Sequence, residues 1–171
     1  MSSVTVICFA VITACMVSSI RTSPECDAAI LKYVKWQMET KSQEFPIAFH
    51  ARLEKALKNL PSKSPIKLEK VFTNEGNGYN KTTGFFTAPM DGVYSFSWTF
   101  MTPNSNTCHT EFVLDGKVIA YTFNHGDTAF NSASQSAILK MKAGNKVWLK
   151  PHGQYGRYCH HAWSSFSGFK I

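Results

Sequence analysis

Apolar and polar side chains alternate most clearly in residues 92–100, which read GVYSFSWTF. In an extended chain, Tyr94, Phe96, Trp98 and Phe100 lie on one side, and smaller or polar residues lie on the other. This pattern predicts a strand with one buried face.

Turn signals divide the rest of the C-terminal half into further short strands. An Asp-Gly pair between two apolar runs is a strong signal for a two-residue hairpin turn. The predicted elements are a hairpin over residues 111–121 with Asp115-Gly116 at its turn, strands over 137–141 and 147–149, and a last strand over 163–171. Many short strands with frequent turns predict an all-β sandwich.

Residues 24–44 have a helical pattern instead. Ile30, Leu31, Val34 and Met38 form one apolar stripe between charged residues, and Asp27 is a suitable N-cap. A helix this short is marginal alone, so we expect residues 20–45 to form a neck that associates with copies of itself. An irregular leader is the alternative. Residues 52–60 also have a helix-like pattern.

Residues 1–19 are apolar from Val4 to Val17, apart from Thr and Cys, and end in small residues, which is typical of a secretory signal peptide. A membrane anchor is the alternative, but the run is short for a span. We therefore expect a secreted protein without a membrane span. Its mature form keeps Cys26, Cys108 and Cys159, and an odd number of cysteines indicates an interchain bridge or a free thiol.

The charge of the 171-residue chain is unevenly distributed. The formal net charge is +7, and no Asp or Glu follows Asp127. This basic stretch favours anionic partners, with an ordinary solvated face as the alternative. Nucleic acid is not expected as a partner, because the signal peptide sends the chain out of the cell and no nucleic-acid motif is visible.

A longer motif and a second, C-terminal piece are similar to a known family. The motif consists of Asn74, Tyr79, Phe86, Gly92, Tyr94, Phe96 and Trp98, and the second piece is SFSGF at residues 165–169. Together they resemble the globular C1q domain of the C1q/tumour-necrosis-factor superfamily. The resemblance covers residues 46–171. Three positions depart from the family's usual residues. Leu68 stands where Phe is usual, Trp98 where Phe or Tyr is usual, and Asn145 where Asp is common. The ten glycines show no three-residue period, so the collagen stalk of many members is absent here.

The resemblance implies a jelly roll of about ten strands in two sheets that trimerises, and a recognition module rather than an enzyme. It also implies that residues 52–60 leave the first strand for a loop. The resemblance assigns further residues to the cores within or between subunits, or to tight backbone geometry. They are Phe86, Gly92, Tyr94, Phe96, Trp148, Phe166, Gly168 and Phe169. In this topology Cys108 and Cys159 are expected near opposite ends of the sandwich, which disfavours a bond between them. Cys26 is then the candidate for an interchain disulfide.

Ligand contacts in this family usually come from loops at the sandwich ends. Tyr155, Arg157 and Tyr158, with nearby Lys150, offer sugar-stacking rings and cationic groups. Residues 102–107 add amides and hydroxyls. The alternative is that both are ordinary exposed loops.

Three further features bear on modification and metals. Asn80-Lys81-Thr82 is an N-glycosylation sequon. The pair His160-His161 beside Cys159 consists of possible zinc or copper ligands. A plain surface loop is favoured, however, and no metal site is predicted. No cofactor is predicted. The family often binds calcium, yet Asp91, Asp115 and Asp127 match no ligand motif, so calcium is left open.

These features lead to the hypothesis of a secreted homotrimeric lectin of innate immunity that binds microbial or anionic glycans multivalently. One alternative is a cerebellin-like receptor ligand, or synaptic organiser. Another is a protein of extracellular matrix or biomineral.

Overall fold

The computed structural model describes residues 24–41, 46–153 and 158–171. The predicted signal peptide, residues 1–19, lies outside the described residues. The chain separates into two units between Phe45 and Pro46.

The first unit contains one helix, α1 (Pro24–Lys41), which confirms a short helix near the N-terminus. Ile30, Leu31 and Val34 are exposed along it, and Leu31 is 69% exposed. In the described residues of α1, these apolar side chains are therefore available to a partner surface.

The described residues of the second unit contain twelve strands. They are β1 (Ala48–Arg52), β2 (Lys70–Glu75), β3 (Tyr79–Asn80), β4 (Phe85–Thr87), β5 (Gly92–Thr102), β6 (Asn106–Thr107), β7 (Thr110–Leu114), β8 (Lys117–Thr122), β9 (His125–Gly126), β10 (Asn131–Met141), β11 (Lys146–Pro151) and β12 (Ser165–Lys170). Ten of them form two five-stranded sheets, with orders β10-β5-β12-β1-β2 and β3-β4-β11-β7-β8, and β6 pairs with β9. The predicted all-β jelly roll is confirmed.

The two ends of this sandwich differ in what they contain. Strands β7, β10 and β12 begin where β5, β8 and β11 end, as the pairs Thr110↔Thr122 and Asn131↔Thr102 show. We call this end the loop pole; it contains residues 103–109, 123–130 and 158–164. The opposite end, the terminal pole, contains Pro46, Ile171 and the turns at 115–116 and 142–145.

Aromatic rings fill the space between the sheets. Phe86, Tyr94, Phe96 and Phe166 are fully buried, and Phe49 packs among them with its ring centroid 5.0 Å from that of Phe86. The burial of alternate residues along β5 follows from the alternation in its sequence, because successive side chains of a strand point to opposite faces.

Two of the residues assigned to cores lie outside the core of this subunit. Trp148 is half-buried on the outer face of the second sheet, where its ring lies 4.9 Å from that of Phe85. Phe169 is 52% exposed on the first sheet. For Phe169, packing in a core between subunits therefore stays a prediction.

The two glycines assigned to tight geometry have close neighbours. A Cβ on Gly168 would lie 2.5 Å from Cδ1 of Phe96 and 2.8 Å from Cε1 of Phe49. A Cβ on Gly92 would lie 2.5 Å from Cε of Lys170. Gly168 therefore lets two core rings approach the backbone, whereas the flexible end of a lysine side chain can move away from Gly92.

The expectation that Cys108 and Cys159 lie far apart is wrong. They form a disulfide with a Cα–Cα distance of 5.3 Å. Cys108 precedes β7 and Cys159 precedes β12, and both strands begin at the loop pole, so the two cysteines belong to the same end of the sandwich.

Residues 52–60 are not helical. This agrees with the loop that the resemblance implied and not with their helix-like sequence pattern. They leave β1 through bends, and Leu57 forms an isolated antiparallel bridge with Cys159. This segment therefore runs along the loop pole.

Candidate ligand-binding site at the loop pole

The predicted ligand residues are only partly within the described chain. Tyr155 and Arg157 lie outside the described residues. Tyr158 donates its backbone N–H to the carbonyl of Thr107, and the Nζ of Lys58 lies 5.2 Å from its ring centroid. The ring of Tyr158 thus has a cationic neighbour from the 53–60 segment.

Lys150 is engaged in an ion pair. Its Nζ lies 2.7 Å from Oε2 of Glu111, and Oε1 of the same carboxylate lies 2.6 Å from Nδ1 of His152. Burial raises the pKa of Glu111, but the bonds from Lys150 and His152 outweigh it and hold the pKa below 4.5. The charge of Lys150 is therefore balanced by a carboxylate beside it.

Next to this network lies a small pocket walled by aromatic rings. We call it the aromatic pocket; it has a volume of about 330 Å³ and is lined by His109, Thr110, Tyr121, Thr122, Phe123 and His152. His109 stacks on Phe123 with ring centroids 4.0 Å apart, and the rings of Tyr121 and His152 meet edge to face at 5.3 Å.

Local hydrogen bonds fix the polar groups of the aromatic pocket. The N–H of Asn124 donates to Nδ1 of His109 over 3.1 Å, so the neutral imidazole has its proton on Nε2. Burial, then the neighbouring His152 and His125, lower the pKa of His109 below 6.5, which favours this neutral form at pH 7. The side chains of Thr110 and Thr122 lie on the core side of their strands, where Oγ1 of Thr122 accepts the indole N–H of Trp98 over 2.6 Å.

A second aromatic cluster lies on the other side of the disulfide. The ring of His160 lies 4.5 Å from that of His161, 5.1 Å from that of Trp163 and 5.7 Å from that of Phe130. Trp163 is 58% exposed. Burial, then the neighbouring His161, lower the pKa of His160 below 6.5.

The disulfide holds the two clusters in place, because Cys108 precedes His109 and Cys159 precedes His160. The sequence analysis missed His109, Tyr121, Phe123 and His152 as site residues. The signal that could have found them was the concentration of histidines in the segments that become loops.

A basic groove lies beside the loop pole. Its volume is about 490 Å³, and its charged lining residues include Arg52, Lys70, Lys81, Glu54 and Glu69. Three cations against two carboxylates leave this groove suited to an anionic group.

The sequon residue Asn80 is exposed at the end of β3. Its Oδ1 accepts hydrogen bonds from the N–H groups of Thr82 and Thr83. This turn keeps the side chain at the surface, where glycosylation of Asn80 stays a prediction.

Two of the three aspartates considered for calcium stabilise turns instead. Oδ1 of Asp91 accepts the N–H of Ala143, and Oδ1 of Asp115 accepts the N–H of Lys146. Within the part of the chain that the structure describes, no group of three or more His, Cys, Asp or Glu side chains is arranged to hold a metal ion. Also within residues 24–41, 46–153 and 158–171, no helix has the length and apolarity to cross a membrane.

Comparison with known proteins gives consistent matches. The family model described as C1q domain matches residues 48–171. Complement C1q tumor necrosis factor-related protein 2 of Mus musculus is 33% identical over 111 residues, which are 63% of this chain and 37% of the relative. Complement C1q tumor necrosis factor-related protein 3 of Homo sapiens is 31% identical over 144 residues, which are 75% of this chain and 52% of the relative. The chain thus spans between about two fifths and half of these relatives.

Solved structures show the same fold. The globular domain of zebrafish complement 1qA protein superposes with a TM-score of 0.63 at 19% identity, covering 74% of this chain and 97% of that one. Eiger TNF from S. frugiperda gives 0.61 at 14% identity, covering 74% and 92%.

Proposed function

We propose that this chain, which belongs to the C1q domain family, is a secreted trimeric recognition protein that binds microbial or anionic glycans through several identical heads. The family and its relatives are non-enzymatic signalling or recognition proteins, so the prediction that the chain is not an enzyme is confirmed. The observation on which the proposal rests is the loop pole, where exposed aromatic and imidazole rings are concentrated at the end opposite Pro46.

Assembly is supported by an apolar patch on the first sheet. Ile138 and Phe169 both pair with Ser95, so these three side chains point to the same face. Val93 lies on that face too, and all three apolar side chains are exposed. Exposed contiguous apolar residues mark interaction surfaces, and burial against other subunits would remove them from water.

Trimer formation gives each molecule three loop poles and so converts weak single-site binding into avidity. The exposed apolar residues of α1 support the neck as a second contact between subunits, with Cys26 as the interchain disulfide. Light scattering of the secreted protein, with and without reductant, is expected to give a trimeric mass. The variant F169D is expected to dissociate it, whereas S167D, on the outer face of the same strand but outside the apolar patch, leaves more of the trimer intact.

Glycan recognition is tested by binding the trimer to bacterial polysaccharides and sialylated glycans at two salt concentrations. Binding through the basic groove is expected to weaken as salt rises, and K70E is expected to abolish it. K142E reverses a charge at the terminal pole and serves as its control. The absence of binding to every glycan at physiological salt would refute the proposal.

A receptor ligand is the second candidate function, and the cluster around Trp163 favours it. Exposed tryptophan and phenylalanine side chains are typical centres of protein–protein contacts. A protein partner whose affinity is lost in W163A and is insensitive to salt would support this function over glycan binding.

A further inference from the structure

We infer that the aromatic pocket binds an uncharged sugar ring, which names the ligand of one site within the glycan recognition proposed above and rests on that proposal. Among the described residues, neither Tyr158 nor the lining of the basic groove contributes to this pocket. Three features of its described residues lead to this ligand: its walls, its imidazole donor and its charge.

The walls present flat apolar faces at the surface. Phe123 is 76% exposed although it stacks on His109, and Tyr121 is 58% exposed beside His152. Rings exposed to this degree bury large apolar areas when a ligand packs on them. One face of a pyranose ring consists mainly of C–H groups and packs in this way.

The aromatic walls include a hydrogen-bond donor. His109 has a donor at Nε2, because its Nδ1 accepts the N–H of Asn124. A sugar hydroxyl can accept this proton while the C–H face of the sugar ring packs on an aromatic ring. The hydroxyl of Thr110 takes no part, because it lies on the core side of β7 together with that of Thr122, which accepts the N–H of Trp98.

The charge at the pocket favours a neutral ligand. Glu111, which lies next to Thr110 in β7, is neutralised by Lys150 at 2.7 Å, and the lowered pKa of His109 leaves its ring neutral at pH 7. The described residues that line the pocket offer a charged sugar no unpaired opposite charge, whereas the basic groove offers Arg52 and Lys70. The volume of about 330 Å³ lies at the lower end of ligand pockets, as a single ring requires.

The test is an NMR titration of the full secreted protein with methyl glycosides of glucose, galactose, mannose and N-acetylglucosamine, with sialic acid and glucuronic acid as charged comparisons. At least one neutral glycoside is expected to bind. F123A is expected to weaken it by about tenfold or more, since a stacking face is lost. Y121A is expected to weaken it by about three- to tenfold, since a second exposed ring face is lost.

Matched variants separate binding from folding. Phe123 and Tyr121 are exposed, so F123A and Y121A are expected to keep the melting temperature. F72A removes an exposed ring of β2 that does not line the pocket, and it is expected to leave the affinity unchanged.

Two outcomes distinguish this inference from the function on which it rests. If polysaccharides bind but F123A and Y121A change nothing, or only the charged sugars bind, the inference is overturned and glycan recognition stands. If a neutral glycoside binds in the pocket but no microbial glycan is retained by the trimer, the pocket assignment stands and the proposed function fails.

Discussion

Removing the disulfide at the loop pole is expected to cost about 4 kcal/mol of unfolding free energy. The bond joins residues 51 positions apart, and in the chain-entropy model closing a loop of this length lowers the entropy of the unfolded chain by an amount equivalent to about 4 kcal/mol at 25 °C. The assay is urea unfolding at one protein concentration, comparing C26S with C26S/C108A/C159A, so that reductant acts on a single bond.

Reductant provides the control for this prediction. It is expected to lower the stability of C26S to that of the triple variant and to leave the triple variant unchanged. A loss below about 1 kcal/mol, far under the value for a loop of this length, would refute the reasoning. It would mean that the segments before β7 and β12 stay together without the bond.

Three further perturbations have distinct expected outcomes. G168A is expected to cost about 1–3 kcal/mol in urea unfolding, because the added Cβ would overlap the rings of Phe96 and Phe49. The stability difference between the wild type and E111Q is expected to be full above pH 4.5 and to shrink as pH falls through the lowered pKa of Glu111. The reason is that a carboxyl that is easier to ionise in the folded state stabilises the fold only while it is ionised. A stability difference that grows in acid would contradict this reasoning. N80Q is expected to lower the mass of the secreted chain by one glycan without changing the fold; an unchanged mass would show that the sequon is unused.

Local patterns were sufficient for the strands and turns. The predicted turn at Asp115-Gly116 has φ angles of 46° and 89°, and both being positive is what a two-residue hairpin of this type requires. The alternation in residues 92–100 placed four aromatic rings in the core for the same reason, because strand periodicity is a property of consecutive residues.

Distant partners explain why the helix-like pattern of residues 52–60 misleads. Leu53, Leu57 and Leu60 have helical spacing, and all three pack on the core. Leu57 does so in an extended bridge with Cys159, a contact across about a hundred positions that no local periodicity contains. Tertiary packing here overrides helix propensity.

Counting strand directions would have corrected the cysteine prediction. Between β7 and β12 the long strands β8, β10 and β11 intervene, and each neighbouring pair in sequence reverses direction. Four reversals leave β7 and β12 running the same way. Their N-terminal ends, and therefore Cys108 and Cys159, lie at the same pole.

A single bulge decides which side chains meet in the aromatic pocket. Counting outward from the Asp115-Gly116 turn places His109 opposite Thr122. The register shifts by one residue between Phe112 and Val113, so the pairing continues as Thr110↔Thr122 and brings Phe123 opposite His109. Because a shift of one residue exchanges the two faces of a strand, this stack could not be predicted without the bulge.

In the described part of the acid-free stretch, Lys142, Lys146 and Lys150 bring no unpaired charge to the aromatic pocket. Lys142 and Lys146 of the acid-free stretch flank the turn at the terminal pole, and Lys150, which reaches the other end, is paired with Glu111. Excess positive charge away from a site raises the rate of encounter with an anionic surface and is screened by salt. A ring held in the aromatic pocket is released at a rate that depends on stacking and hydrogen bonds. Higher salt should thus slow association with a microbial surface while leaving dissociation from the aromatic pocket unchanged.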